Sequence, residues 1–179
     1  MSLVECVPNF SEGLRQAVID EIVSSIASVP GVDVLDHSSD ADHNRSVVTF
    51  AGQPDAVVEA AFKAIETAAA HINLEQHNGV HPRIGATDVV PFIPLRDISL
   101  DDCAMLARRL GERVGIELEI PVYLYEKAAS RAERVNLADI RRGGYERLKT
   151  AIEQDSARAP DFGPARMGPA GAVAIGARG

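Results

Sequence analysis

Two histidines, an arginine and an aspartate fall within one short run of this chain: His77-Asn78-Gly79-Val80-His81-Pro82-Arg83-Ile84-Gly85-Ala86-Thr87-Asp88. An imidazole with an ordinary pKa near 6.5 can both take and give a proton at neutral pH. Gly79, Pro82 and Gly85 impose an irregular backbone, and loops on rigid scaffolds are where binding and catalytic groups concentrate. Pro82 biases His81, the residue before it, towards an extended conformation. These residues make His81 the first candidate for proton transfer. The competing reading is a solvated loop whose histidines do no chemistry.

A metal site is the sharper rival. His77 and His81 are four apart, and Asp36, His37, Asp40, Asp42 and His43 form a second polar group. Four-residue spacing brings ligands together on a helix, however, and Gly79 and Pro82 argue against helix here. The chain has no pair of closely spaced cysteines and no His-Glu-x-x-His. Three other stretches carry candidate binding groups. Val7-Pro8-Asn9-Phe10-Ser11-Glu12-Gly13 offers Asn9 and backbone N–H groups before a helix, a setting that suits carboxylates or a simple cap. Asn44-Arg45 could hold a carboxylate through the guanidinium fork, or form a surface ion pair. The run Asp161 to Gly171 is rich in Gly and Pro. It reads either as a linker or as a rigid backbone that a flat ligand approaches closely.

The elements that position these groups follow from periodicity. Leu3 to Val7 reads as a strand ending at Pro8, and Ser11 as the cap of a helix carrying Leu14, Val18, Ile22 and Ile26. Pro30-Gly31 stops that helix. Strands are expected at 32–35 and 46–51, with a polar loop from Asp36 to Asn44 between them. Pro54 opens a second helix with Val58, Ala61, Ile65, Ala68 and Ile72 as its apolar stripe. A loop from Glu75 to Gly85 leads to a strand at 88–93. The order βαββαβ predicts an α/β (α+β) fold: a ferredoxin-like mixed sheet with helices mainly on one face. Further elements extend it. Ser99 caps a helix carrying Cys103, Leu106, Leu110 and Val114, and a strand follows at 120–125, where Pro121 marks an edge or strand start. A last helix spans 145–154 and a last strand 172–177. The chain reads as a single unit over 1–179.

Composition bounds the partners. The net charge of −8 repels phosphate backbones, so nucleic acid is not expected. No apolar run approaches the length needed to cross a bilayer, so no membrane partner is expected either. The N-terminus lacks the pattern of a signal peptide. Cys6 and Cys103 fall in a predicted strand and helix, which favours two buried free thiols and a reducing, cytoplasmic setting.

Taken together, Val4-Glu-Cys-Val-Pro-Asn-Phe-Ser-Glu-Gly13, Asn44-Arg45, His77 to Asp88, Pro91-Phe-Ile-Pro94, Pro121-Val-Tyr-Leu-Tyr125 and Ala159-Pro-Asp-Phe-Gly-Pro164 resemble glutamate formiminotransferase, in the N-terminal subdomain of its formiminotransferase domain. The motifs occur in the right order over nearly the whole chain. The resemblance implies transfer of a formimino group from N-formimino-L-glutamate to N5 of tetrahydrofolate, the co-substrate, in histidine degradation. It implies that His81 is the catalytic histidine and that Gly163, Pro164, Ala165, Arg166, Met167, Gly168, Pro169, Ala170 and Gly171 form the folate-binding loop. It also implies a homodimer, no metal, and a ligand tunnel completed by a second subdomain, the expected partner being a C-terminal formiminotransferase subdomain or a cyclodeaminase.

Side-chain chemistry adds four expectations. Asp88 or Asp36 could orient the His81 ring, and Arg83 or Arg45 could hold a glutamate carboxylate. Asn9 and Asn44 join them as candidate substrate contacts. Two features depart from the family pattern. The folate loop is one residue shorter than the animal pattern and lacks its tryptophan, and the chain stops at Gly179 where the family runs on. Three functions therefore stand: the catalytic half of a formiminotransferase, a folate-binding or interaction module without turnover, and a metal-dependent hydrolase using the His/Asp cluster.

Overall fold

The computed structural model describes residues 1–78 and 82–179. The N-terminal strand is split into β1 (Leu3–Cys6) and β2 (Asn9–Phe10). Pro8 has no N–H to donate, but its carbonyl accepts from Val48 N at 3.2 Å, and Val7 N donates to Pro91 O at 3.3 Å. The ladder therefore bridges the break. Val4, Cys6 and Phe10 face the core, while Glu5 and Asn9 lie half-buried on the other side.

Helix α1 (Gln16–Ala27) buries Val18, Ile22 and Ile26 as the periodicity predicts. Two details differ. Leu14 precedes the helix and is 64% exposed. Ser11 does not cap it, because its hydroxyl donates instead to Gly85 O at 2.7 Å inside the protein. Strand β3 (Val32–Asp40) runs well into the segment expected as loop and pairs antiparallel with β4 (Arg45–Gly52). β3 is an edge strand whose residues 35–40 are all exposed. A polar run is acceptable at such an edge and discourages further pairing.

Helix α2 (Pro54–His71) starts at its proline and packs a dense row of small and branched residues inward. β5 (Thr87–Arg96) lies antiparallel to β1 and β2. The strands β3, β4, β1/β2 and β5 thus complete a ferredoxin-like βαββαβ unit. Helix α3 (Leu100–Glu117) begins with a reciprocal cap between Ser99 and Asp102. β6 (Val122–Glu126), α4 (Leu137–Arg141), α5 (Gly144–Gln154) and β7 (Val173–Ala177) follow. β7 inserts in parallel between β5 and β6. The result is a seven-stranded mixed sheet in the order β3-β4-β1/β2-β5-β7-β6.

Helices α1, α2 and α3 cover one face, over a core of Ile22, Phe50, Ile65, Phe92 and Leu110. On the opposite face α4 lies beside β6. Val47, Thr49, Ala51 and Ile93 stay half-buried on the open part of that face. Cys6 and Cys103 are buried free thiols. Among the described residues no helix is long and apolar enough to cross a membrane.

Candidate functional site

The open face carries a cleft of about 290 Å³ where β2, β4, β5, β6, α4 and the residue after β7 converge. Asn9, Arg45, Tyr125, Glu126, Arg141 and Arg178 line it, with Val7, Val89, Pro91 and Leu137 as its apolar walls. Three of its lining side chains are guanidinium groups, which present planar forks of donors, and one of them, Arg141, also meets the buried Asp88. Burial pushes the Tyr125 phenol well above its ordinary pKa. It is therefore a neutral O–H that can donate or accept.

A β-bulge turns Asp88 towards Arg141, one of the residues that line this cleft. Asn9 pairs with Val89 and Phe10 with Thr87, which leaves Asp88 as the extra residue on β5. An extra residue breaks the alternation of side chains. Thr87 therefore faces α2, while Asp88 and Val89 both turn to the other face. Asp88 is 1% exposed. Its Oδ1 accepts from Ile84 N at 2.7 Å and its Oδ2 from Arg141 Nη2 at 2.5 Å. Arg141 Nε is buried without a hydrogen-bond partner among the described residues.

His81 lies outside the described residues, but its flanks are firmly tied. Asn44 sits at φ +50° just before β4. Its Oδ1 accepts from Gly13 N at 2.8 Å and its Nδ2 donates to Asn78 O at 2.9 Å. Arg83 Nε donates to His77 Nδ1 at 3.0 Å, and Arg83 Nη1 meets Glu146 Oε1 at 2.9 Å. His77 Nε2 lies 3.2 Å from Asn44 O. The Arg83 carbonyl accepts from Tyr145 N at 2.8 Å. Burial, with Arg83 alongside, holds the His77 pKa below its ordinary value. The hydrogen bond from Arg83 holds the Glu146 carboxyl below the usual range.

The segment 163–171 is built against this loop. Ala86 N donates to Ala170 O at 2.8 Å, Ala172 N to Ile84 O at 2.9 Å, and Gly85 and Gly171 form an isolated antiparallel bridge. Pro169 O accepts from Leu74 N at 2.8 Å. Met167 and Ala170 turn towards the core, whereas Ala165, Arg166 and Gly168 are exposed, and open space lies beside the Gly168 Cα. At the other end Gly163 packs against the Ile120 carbonyl and Pro164 is half-buried.

The structure therefore brings Asn9 and Arg45 to one cleft, buries Asp88 behind the cleft's Arg141, and places the Gly163–Gly171 loop beside the flanks of His81. Asn44 and Arg83 stand behind that loop as its ties, and Arg83 Nε and Nη1 are directed at His77 and Glu146. Asp36 sits on β3 opposite Thr49, separated from β5 by β4 and β1/β2 and outside the cleft lining. Among the described residues no group of three or more His, Cys, Asp or Glu side chains is placed to hold a metal ion. His43 and Asp40 pair with each other at 2.7 Å. Sequence reasoning missed Arg141 and Arg178. Arg141 belongs to a five-residue helix with no periodicity to read, and Arg178 follows a strand whose neighbours in the sheet are set by topology.

The chain is a mixed α+β sheet whose open face carries an arginine-lined cleft. The family is defined by sequence: the chain belongs to the formiminotransferase domain, N-terminal subdomain, whose family model matches residues 3–178. It is 53% identical over 180 residues to a glutamate formimidoyltransferase of Thermoplasma acidophilum and 48% identical over 178 residues to one of Streptococcus pyogenes serotype M1. These alignments take in 99% and 98% of this chain but 59% of each relative. A formimidoyltransferase-cyclodeaminase of Rattus norvegicus is 49% identical over 98% of this chain and 32% of its own length. The chain thus spans little more than half the length of the glutamate formimidoyltransferases and a third of the fused enzyme.

Proposed function

We propose that this chain is the N-terminal half of a glutamate formimidoyltransferase, moving the formimino group of N-formimino-L-glutamate to N5 of tetrahydrofolate in histidine degradation. The observation that carries the reading is the Gly85–Gly171 bridge, which joins the His81 loop to the Gly-Pro loop within a chain of this family. A proton-transfer loop and a flat-ligand loop must sit side by side if an amine on one substrate is to attack the carbon of another.

In this reading the N5 lone pair attacks the amidine carbon and a tetrahedral intermediate forms. The attacking nitrogen must lose a proton and the departing glutamate nitrogen must gain one. His81 serves both steps in turn, an effect worth about 10²–10⁴-fold. The donor's carboxylates are held by Arg45, Arg141 and Arg178 in the open-face cleft, with Asn9 and the neutral Tyr125 hydroxyl as hydrogen-bonding partners. The exposed rim of the Gly163–Gly171 loop receives the folate. The second wall of the tunnel comes from a C-terminal subdomain, and the working unit is a cytoplasmic homodimer.

The test is formimino transfer assayed with the chain alone, with a second subdomain supplied, and with His81→Ala in each setting. Activity that survives His81→Ala at the wild-type level overturns the role of His81. Folate binding without turnover in every mixture would instead mark a binding module. A stoichiometric metal required for turnover would point to the hydrolase.

A further inference from the structure

Four hydrogen bonds around His77 form a connected chain that the reaction chemistry above does not use. The chain runs from Asn78 O to Asn44, across the Asn44 carbonyl to His77 Nε2, through the ring to Nδ1, and on to Arg83 and Glu146. It closes the base of the loop because His77 and Arg83 lie on opposite flanks of residues 79–81. Its chemistry fixes the ring's state. A guanidinium has donors only, so Nδ1 must be the unprotonated nitrogen, and the Asn44 carbonyl accepts only, so Nε2 must carry the hydrogen. A second proton would place N–H against N–H at 3.0 Å and a cation beside a cation.

We propose that His77 is a positioning residue: a neutral, Nε2-protonated imidazole that fixes the spacing of the two flanks of the His81 segment, so that one proton on it uncouples Arg83 from Asn44. The proposal rests on the reading that His81 performs the proton transfers. The charged groups that face the ring from packed elements are consistent with a neutral state. Arg83 from its own loop disfavours the cation, whereas Glu12 before α1 and Glu146 on α5 favour it. Both carboxylates are already engaged, Glu146 by Arg83 and Glu12 by Arg15, whose guanidinium stands 2.7 Å from Glu12 Oε1. Burial decides the balance against the charged ring. Protonation therefore falls below the ordinary histidine range.

The experiment is a pH titration of the ¹⁵N-histidine-labelled chain by long-range ¹H–¹⁵N correlation, read together with backbone amide shifts. The expected result is a neutral Nε2–H tautomer for His77 at pH 7 that takes its proton only below about pH 6.5. The amides of Asn78, Arg83 and Ile84 should move with the same midpoint, while those of Leu106 and Leu110 in α3 stay fixed. His77→Gln should abolish that step and keep the pH 7 amide positions. A charged ring or an Nδ1–H tautomer at pH 7 overturns the proposal, as do loop amides that ignore the ring. The wild-type titration decides the matter even if a variant fails to fold. In the transferase assay with the second subdomain supplied, the acid limb of kcat/KM should have a limiting slope of two in wild type and one in His77→Gln. Equal slopes overturn the catalytic consequence. An inactive mixture tells against the transferase reading while the titration still judges the clamp.

Discussion

Gly85 and Gly171 face each other so closely that neither position has room for a side chain. A Cβ on Gly85 would stand 1.7 Å from the Ala172 carbonyl oxygen, and one on Gly171 would stand 2.2 Å from the Ile84 oxygen. Gly171 also sits at φ +70°, in the left-handed region that glycine adopts without strain. These contacts are with backbone, which cannot swing aside as a side chain can. The two loops of the site are therefore fastened at a point of near backbone contact.

Gly85→Ala and Gly171→Ala should each destabilise the chain by on the order of 3 kcal/mol, through backbone displacement. Urea unfolding measures this directly. A loss below about 0.5 kcal/mol at either position would mean that the two loops are not held together as described.

The pair Asp88–Arg141 predicts an asymmetry. Arg141→Met removes the guanidinium that meets the Asp88 carboxylate, which is 1% exposed. Removing one partner of a buried pair costs about 3–5 kcal/mol, because the remaining charge loses its closest attraction where water cannot replace it. Asp88→Asn with Arg141→Met should be more stable than Arg141→Met alone, since the buried charge is gone and the amide oxygen can still accept from Ile84 N. A double-mutant cycle by chemical denaturation checks this. Additive costs would show that the two side chains are not coupled.

Much of the framework was legible because it is local and periodic. Val18, Ile22 and Ile26 announce α1, and Pro54 and Ser99 announce the starts of α2 and α3. The errors arise where tertiary pairing overrules local signals. Ser11 has the chemistry of a helix cap, yet a bond to Gly85 across the molecule claims its hydroxyl. Residues 36–40 are polar enough for a loop, yet β4 offers them a ladder at the sheet edge. The site followed the same rule. Asn9 and Arg45 stand in dense motifs, whereas Arg141 and Arg178 reach the cleft from α4 and the end of β7, whose places are set by the sheet's topology. The bulge that turns Asp88 is a register effect and leaves no mark in the residue types around it.

All three tyrosines of the chain are held neutral by burial. The Tyr123 phenol is pushed up to about 12, and Tyr125 and Tyr145 lie higher still. A group whose folded pKa is raised contributes stability that is complete below its unfolded pKa, near 10, and is lost as the pH climbs from there. For Tyr123 the two-unit displacement corresponds to about 3 kcal/mol. Tyrosinate absorbance should therefore be absent from the native chain at pH 10 and should rise together with loss of the far-ultraviolet dichroism. Reversible ionisation of one or more tyrosines near pH 10 with the fold intact would contradict this packing.

The Gly163–Gly171 loop makes the last prediction, because neighbouring residues should fail in different ways. Met167 is turned inward and buried to 9% exposure, so Met167→Ala should cost about 2–3 kcal/mol of stability through lost packing. Arg166 is exposed on the same loop, and Arg166→Ala should leave the unfolding midpoint within about 0.5 kcal/mol of wild type. If this rim receives folate, the same substitution should weaken tetrahydrofolate binding about tenfold, since the loop holds the guanidinium on an anchored backbone where a carboxylate or pterin carbonyl can meet it. Calorimetric titration of the variant beside thermal unfolding separates the two effects. Unchanged affinity in Arg166→Ala would remove this side chain from the folate contact and leave that role to the loop's backbone.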